Sequence, residues 1–311
     1  MYLPYRFRIG NFVVNEIRIT LSFAFFATWN AAFFPAGDVL LLFVVVGVVL
    51  FLTRSWSDRA IGVAAVVLLL QPVEWYHYIA NLINPAHRLP DLKVAEMYGE
   101  VADYTKAGNW RDFLLGNVTL GQKASFLWAV NAGRFVQTAG LFLLGFFIGR
   151  KQLFMTNEKN IAFGTKVLII SAISFAPLYT LKELVMENDP IVQQTVGTAF
   201  DMWQKLAFTL VLVASFILLY QHKNFSKAVA GLRFYGKMSL TNYISQSIIG
   251  AFIYFPIGLN LAPYCGYTLS LSVGFLIFLL QLKFCKWWLA RHKQGPLEYI
   301  WHKCTWIGTG K

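Results

Sequence analysis

Charge is scarce in this sequence: only 14% of its 311 residues are Asp, Glu, Lys or Arg, against about a quarter in an ordinary soluble domain. Carboxylates are the scarcer sign, 15 against 27 Lys and Arg. A chain this poor in charge and 57% hydrophobic reads as a polytopic membrane protein, because too few polar side chains remain to cover a soluble globule. Cysteine is nearly absent. Cys265, Cys285 and Cys304 have no metal-ligand spacing, so neither a metal centre nor a redox pair is expected. A cleavable signal peptide is not expected either: Met1–Arg18 holds Arg6, Arg8 and Arg18 and no separate apolar run ending in small residues. Nucleic acid is excluded as a partner although the formal charge is +12, since the basic residues flank apolar segments instead of clustering on a soluble domain. No internal repeat or low-complexity segment is visible.

What the chain does have is long apolar runs. Crossing a hydrocarbon core takes about 20 mostly apolar residues per helix. Segments 19–34, 39–53, 60–81, 125–149, 161–181, 202–221, 238–259 and 267–290 meet or approach that length. The expected fold is an all-α, polytopic transmembrane helix bundle of about eight spans, a single integral membrane domain over 1–311. Loop charges alternate as the positive-inside rule requires. Arg54 and Arg59, then Arg150, Lys151, Lys159 and Lys166, then Lys223, Lys227, Arg233 and Lys237 mark one side; Asp38, the balanced 84–123 loop and the acidic 182–205 segment mark the other. Both termini are therefore expected to be cytoplasmic, with 223–237 a basic cytoplasmic loop and 291–311 a cytoplasmic tail. The 84–123 connection places Leu92, Ala95, Met97, Val101 and Tyr104 at roughly helical spacing, as an extracytoplasmic lid with an amphipathic helix or as an ordinary packed loop. Trp203, Trp287, Trp288, Trp301 and Trp306 are expected to anchor span ends at the headgroup layer.

Ionisable groups within spans are costly and mark candidate sites. Glu74 and Arg134 lie about 10 and 13 Å inside the outer ends of their spans, at matched depth. They read either as a buried pair that fixes helix registry or as a polar cavity in which Arg134 clamps an anion. Asn131, Arg134 and Gln137 repeat every three residues and are expected on one helical face. Pro72 removes a backbone hydrogen bond just before Glu74 and is expected to open that helix locally. His77 is read as a packing residue or a general base. Asn30 and Asp38 flank the turn "NAAFFPAGD"; Asp38 is read as the cap of the second span or as a further cavity group. Asn242 and Gln246 share a face in "KMSLTNYISQS", as helix glue or as the lining of a cytoplasmic entrance.

"PAGDVLLLFVVVGVVL", "GRFVQTAGLFLLGFFIGR", "GKMSLTNYISQSIIG" and "HKQGPLEYIWHKCT" resemble, in order and spacing, the motifs of the YeiB-like family of bacterial inner-membrane proteins. The most specific pair is Gly236-Lys-Met-Ser-Leu-Thr-Asn-Tyr with Gly295-Pro-Leu-Glu. The resemblance implies a bacterial inner-membrane location and a role labelled as transport, and its architecture is distantly similar to transmembrane acyltransferases. Family members usually open with two further spans, the first with a Leu-Asp-x-x-Arg-Gly motif. Nothing like that motif precedes Tyr5, so a truncated gene product or a shortened member is expected. The family commonly has His in the turn where this sequence has Asn30, and an amide cannot replace a proton-transferring base.

The first functional expectation is an acyl- or group-transferase, with acyl-coenzyme A as donor, no resident cofactor, Glu74 or His77 as base and Arg134, Gln137, Asn131, Asp38 and Asn30 around the acceptor. The second is a transporter of a small anionic or amphiphilic solute, favoured by prolines 72, 177 and 256. The third is a non-catalytic remnant. Expected partners are the lipid bilayer and, at the cytoplasmic face, an acyl donor or anionic lipid beside Asn242 and Gln246.

Overall fold

The computed structural model describes residues 9–34, 38–187 and 189–306, with side chains from Arg18 onward. Arg6, Arg8, the Pro35-Ala36-Gly37 turn and the end of the tail lie outside the described residues. Among the described residues there is no strand. The helices are α1 Ile9–Phe33, α2 Leu40–Thr53, α3 Asp58–Leu69, α4 Pro72–Ile83 and α5 Val94–Ala107. There follow α6 Trp110–Asn131, α7 Arg134–Arg150, α8 Glu158–Met186, α9 Pro190–Tyr220 and α10 Lys223–Ala228. The last are α11 Leu232–Lys237, α12 Ser239–Tyr254, α13 Tyr267–Leu289 and α14 Pro296–Trp306. Side chains set several starts: Ser57 accepts from Ala60 N–H, Asn109 from Arg111 N–H and Asn157 from Asn160 N–H, each satisfying a donor that a helix leaves unpaired.

Helices α8, α9 and α13 are each long and apolar enough to cross a membrane, and the bent pairs α3–α4 and α6–α7 add two more candidates. Their large apolar residues are turned outward, Ile169, Ile170 and Ile173 on α8 and Leu271, Phe275 and Leu279 on α13 among them. Exposed apolar surface of this kind is tolerable when lipid is the solvent. This is the make-up of a helical membrane protein.

Three expected spans differ in detail. Segment 60–81 is not one helix but α3 and α4, bent by 47° at Leu70-Gln71. Segment 125–149 is bent by 75° at Ala132-Gly133, and its first limb begins earlier, at Trp110. Span 238–259 stops at Tyr254, just before Pro256. Pro177, by contrast, sits inside an unbroken α8. The 84–123 connection is mostly helical, its second half being part of α6. Within it a π-helical turn, Asn117–Gly121, turns Asn117 inward. Its amide accepts from Tyr104 Oη at 2.9 Å and donates to the Ala32 carbonyl at 2.9 Å.

The described residues fall into two compact units. One comprises segments within 1–44, 93–126 and 229–311, the other 45–92 and 127–228. The first is centred on Phe26, Leu240 and Ile244, with Phe113, Ala251 and Ile257 as a second cluster. The second has Ile61, Ala65 and Leu143 where α3 crosses α7, flanked by Val49 and Leu50. Asp58 ties the end of α7 to the start of α3, pairing with Arg150 Nε at 3.0 Å and Lys151 Nζ at 2.8 Å.

Candidate functional site

The candidate site lies in the second unit, where both bent helices break. Pro72 cannot donate a hydrogen bond, and it disfavours helical geometry in the residue before it. Gln71, instead of the extended geometry usual before a proline, takes left-handed angles, φ 59°, an uncommon state for a side chain with a Cβ. The Leu69 carbonyl at the break is taken up by Trp203 Nε1 at 2.8 Å, and Trp203 stacks on Trp75 at 6.0 Å. Trp203 thus ties α9 to the break by a hydrogen bond and a ring contact, roles its expected place at a span end did not include.

The second break sits at Gly133, φ 63°, which ends one limb and caps α7. A Cβ there would collide with the carboxylate of Glu74. Glu74 is the third residue of α4, so its carboxylate faces the positive end of its own helix and, across Gly133, that of α7. Two helix N-termini converging on one carboxylate make a strong anion environment. Glu74 is 7% exposed and Gln71 0% exposed. Glu74 Oε2, both amide atoms of Gln71 and Arg134 Nε are buried without a partner among the described residues. Unpaired buried polar atoms are rare and costly, and each asks for an explanation.

Glu74 and Arg134 do not form an ion pair: among the described residues no bridge joins them. Arg134 instead donates to Gln137 Oε1 at 3.1 Å and lies over the Trp128 ring at 5.5 Å. Asn131 does not share their face, because the break falls between it and Arg134; its side chain is exposed. His77 is turned to His87, with ring nitrogens 3.0 Å apart.

The remaining candidates belong to the first unit. Asp38 Oδ1 accepts from Leu40 N–H at 3.0 Å, as a helix cap does, and from Asn30 Nδ2 at 3.1 Å. Among the described residues Asp38 Oδ2 and Asn30 Oδ1 are buried without partners. Burial in this connection between α1 and α2 pushes the Asp38 carboxyl up to about 6, against its hydrogen bonds to Leu40 and Asn30. A raised carboxylate pKa means that ionisation opposes folding above pH 6 and no longer does so below about pH 4. Stability should therefore rise on acidification from pH 7 to about 4.5, by at most about 3 kcal/mol. That increment should vanish in Asp38→Asn, as read from thermal unfolding at the two pH values.

Asn242 and Gln246 sit in a closed polar network. Asn242 Nδ2 donates to the Tyr235 carbonyl at 3.0 Å and to Cys285 Sγ at 3.3 Å. Gln281 donates to the Asn242 carbonyl at 3.2 Å and to Ser245 Oγ at 2.8 Å, and its Oε1 accepts from Tyr235 Oη at 3.0 Å. Gln246, exposed, donates to Tyr235 Oη at 2.7 Å and to Gln281 Oε1 at 3.0 Å. The sequence reading missed the partner that joins the two most specific motifs. Glu298 of "GPLE" accepts from Thr241 N–H at 3.0 Å and from Thr241 Oγ1 at 2.5 Å, and Thr241 Oγ1 accepts from Leu297 N–H at 3.1 Å. The signal was a lone acid in a basic tail. Gly133 and Trp203 were missed as site builders, although "NAGR" places a glycine beside the in-span arginine.

Residues 148–308 match the profile of a family described as protein of unknown function (DUF418). Over 95 residues the chain is 25% identical to the uncharacterized protein YxaH of Bacillus subtilis (strain 168), covering 30% of this chain and 24% of that protein. Over 91 residues it is 37% identical to an uncharacterized 39.9 kDa protein in the amylase 3' region of Bacillus acidopullulyticus, covering 29% of this chain and 25% of that one. The chain thus spans about a quarter of the length of these relatives. No solved structure matches. The profile encloses the whole network of Tyr235, Thr241, Asn242, Gln281 and Glu298 but neither helix break. Since the profile covers more than half of its residues, the chain belongs to the DUF418 family, the YeiB-like proteins that its motifs resemble.

Proposed function

We propose that this protein is a transporter of a small polar solute, bound at the paired helix breaks around Glu74, Gln71 and Arg134. It would cross the bacterial cytoplasmic membrane about eight times, with both termini in the cytoplasm. The observation that carries the reading is the convergence of two broken helices on a buried carboxylate whose neighbours keep unpaired polar atoms. Discontinuous helices with half-helix ends facing a polar site are a recurrent way to hold a solute within a membrane. Glu74 supplies an acceptor, Arg134 a donor, and Gln71 both.

The transferase reading rests on a different observation, the buried Asn30–Asp38 pair, at the turn where the family resemblance implies a His. Asn30 cannot move a proton, so this reading needs another base, and His77 is engaged with His87. Acyl-coenzyme A would be its donor.

Solute counterflow into liposomes holding the purified protein tests the choice. Wild type should support counterflow of at least one small polar solute, and Glu74→Gln and Arg134→Ala should each lower it about tenfold or more, the cost of one charged hydrogen bond. Thermal stabilisation by acyl-coenzyme A with no counterflow of any solute would refute the transporter and favour the transferase.

A further inference from the structure

In the first unit, α13 ends at Leu289 and the chain turns through 290–295 into α14. Against this turn lies the last turn of α11. Between them is an open cleft of about 430 Å³, lined by Phe234, Lys237, Arg291, His292 and Lys293. Among the described residues no carboxylate lines it. Glu298, the acid of the neighbouring helix, is committed to Thr241. Lys237 and Lys293 have no carboxylate partner among the described residues.

The cleft is held in shape by one residue. Trp288 Nε1 donates to the Gln294 carbonyl at 3.0 Å, and the Trp288 ring stacks on His292 at 4.0 Å, nearly parallel. His292 Nδ1 lies 3.2 Å from the Trp288 carbonyl, which leaves Nε2 for the cleft. Arg291 lies over the Trp287 ring at 5.1 Å and donates one N–H to the Trp287 carbonyl at 3.3 Å; among the described residues the rest of its fork is uncommitted. A helix C-terminus carries about half a negative charge, which a single basic side chain complements. Three basic residues and a histidine exceed that need.

The position decides the source of the anion. α13 is apolar and of membrane-crossing length, and exposed Phe284 and Trp287 precede the cleft, as aromatic residues do at a membrane surface. The cleft therefore lies one turn beyond the apolar helix, at headgroup depth. We propose that it binds the phosphate of an anionic membrane lipid, a phosphodiester held by Lys237, Arg291 and Lys293 with its acyl chains along α13.

The test is thermal unfolding of the full chain in detergent, titrated with phosphatidylglycerol, with phosphatidylcholine or with free glycerol phosphate. Phosphatidylglycerol should stabilise the protein, and less so at high salt. Lys237→Gln with Lys293→Gln should weaken its apparent affinity about tenfold or more, whereas Lys237→Arg with Lys293→Arg should retain it and guards against a folding defect in the Gln pair. Lys223→Gln with Lys227→Gln, which removes equal charge outside the cleft, should leave it unchanged. Equal stabilisation by phosphatidylcholine, or an equal loss in the Lys223 and Lys227 variant, would overturn the site. Displacement of the lipid by equimolar glycerol phosphate would overturn the lipid as its occupant.

Discussion

Gly133→Ala is expected to lower stability by about 2–4 kcal/mol, the left-handed backbone and the overpacked carboxylate each contributing, and to abolish solute stabilisation. The added Cβ meets Glu74, and φ 63° is a conformation that alanine adopts only at a cost. Because the two penalties have different origins, Glu74→Ala separates them. The double variant should recover the collision but not the backbone strain, so the two substitutions should be non-additive by about 1–2 kcal/mol in the favourable direction. Thermal unfolding in detergent reads both effects. A Gly133→Ala protein as stable as wild type and still stabilised by solute would mean that Glu74 does not depend on the α7 terminus.

The second large effect belongs to Glu298. Its two oxygens take the backbone N–H and the hydroxyl of Thr241, so α12 is capped by a side chain from α14. Glu298→Ala strands both donors and should cost about 2–4 kcal/mol. Glu298→Gln keeps one acceptor oxygen, loses the charge facing the helix N-terminus, and should cost about half as much. The order Ala, Gln, wild type in unfolding temperature checks this. Equal loss in both variants would assign the effect to charge alone.

The all-helical class was legible because apolar run length is a direct physical signal: each of the eight apolar segments contains helix, and three helices with two bent pairs are long and apolar enough to cross a membrane among the described residues. The breaks were only half legible. Pro72 announced the first, since a missing N–H is written in the sequence, whereas Gly133 announced nothing, because a glycine within a helix is common and only its φ separates a break from a packing contact. That break is also why Asn131 left the face it was expected to share with Arg134 and Gln137. The pairing of Glu74 with Arg134 failed for a related reason: depth matching fixes height within a membrane but not rotation, and Arg134 is turned toward Gln137 and Trp128. The Thr241–Glu298 contact was written as two motifs about fifty residues apart, yet nothing in either says that one caps the other.

The pairing of α1 with α14 has a consequence for how the chain is made. Ser22 meets Thr305, and Phe23 packs on Trp301 at 5.8 Å, so α1 is completed by a helix made long after it, Thr305 lying 283 residues beyond Ser22. The second unit needs nothing beyond residue 228. It can assemble while translation continues, whereas the first unit stays open at α1 and uncapped at α12 until synthesis reaches α14. Between the synthesis of residue 228 and that of α14, the nascent protein carries one complete unit and one incomplete one, and the latter is what membrane insertion factors and proteases would meet.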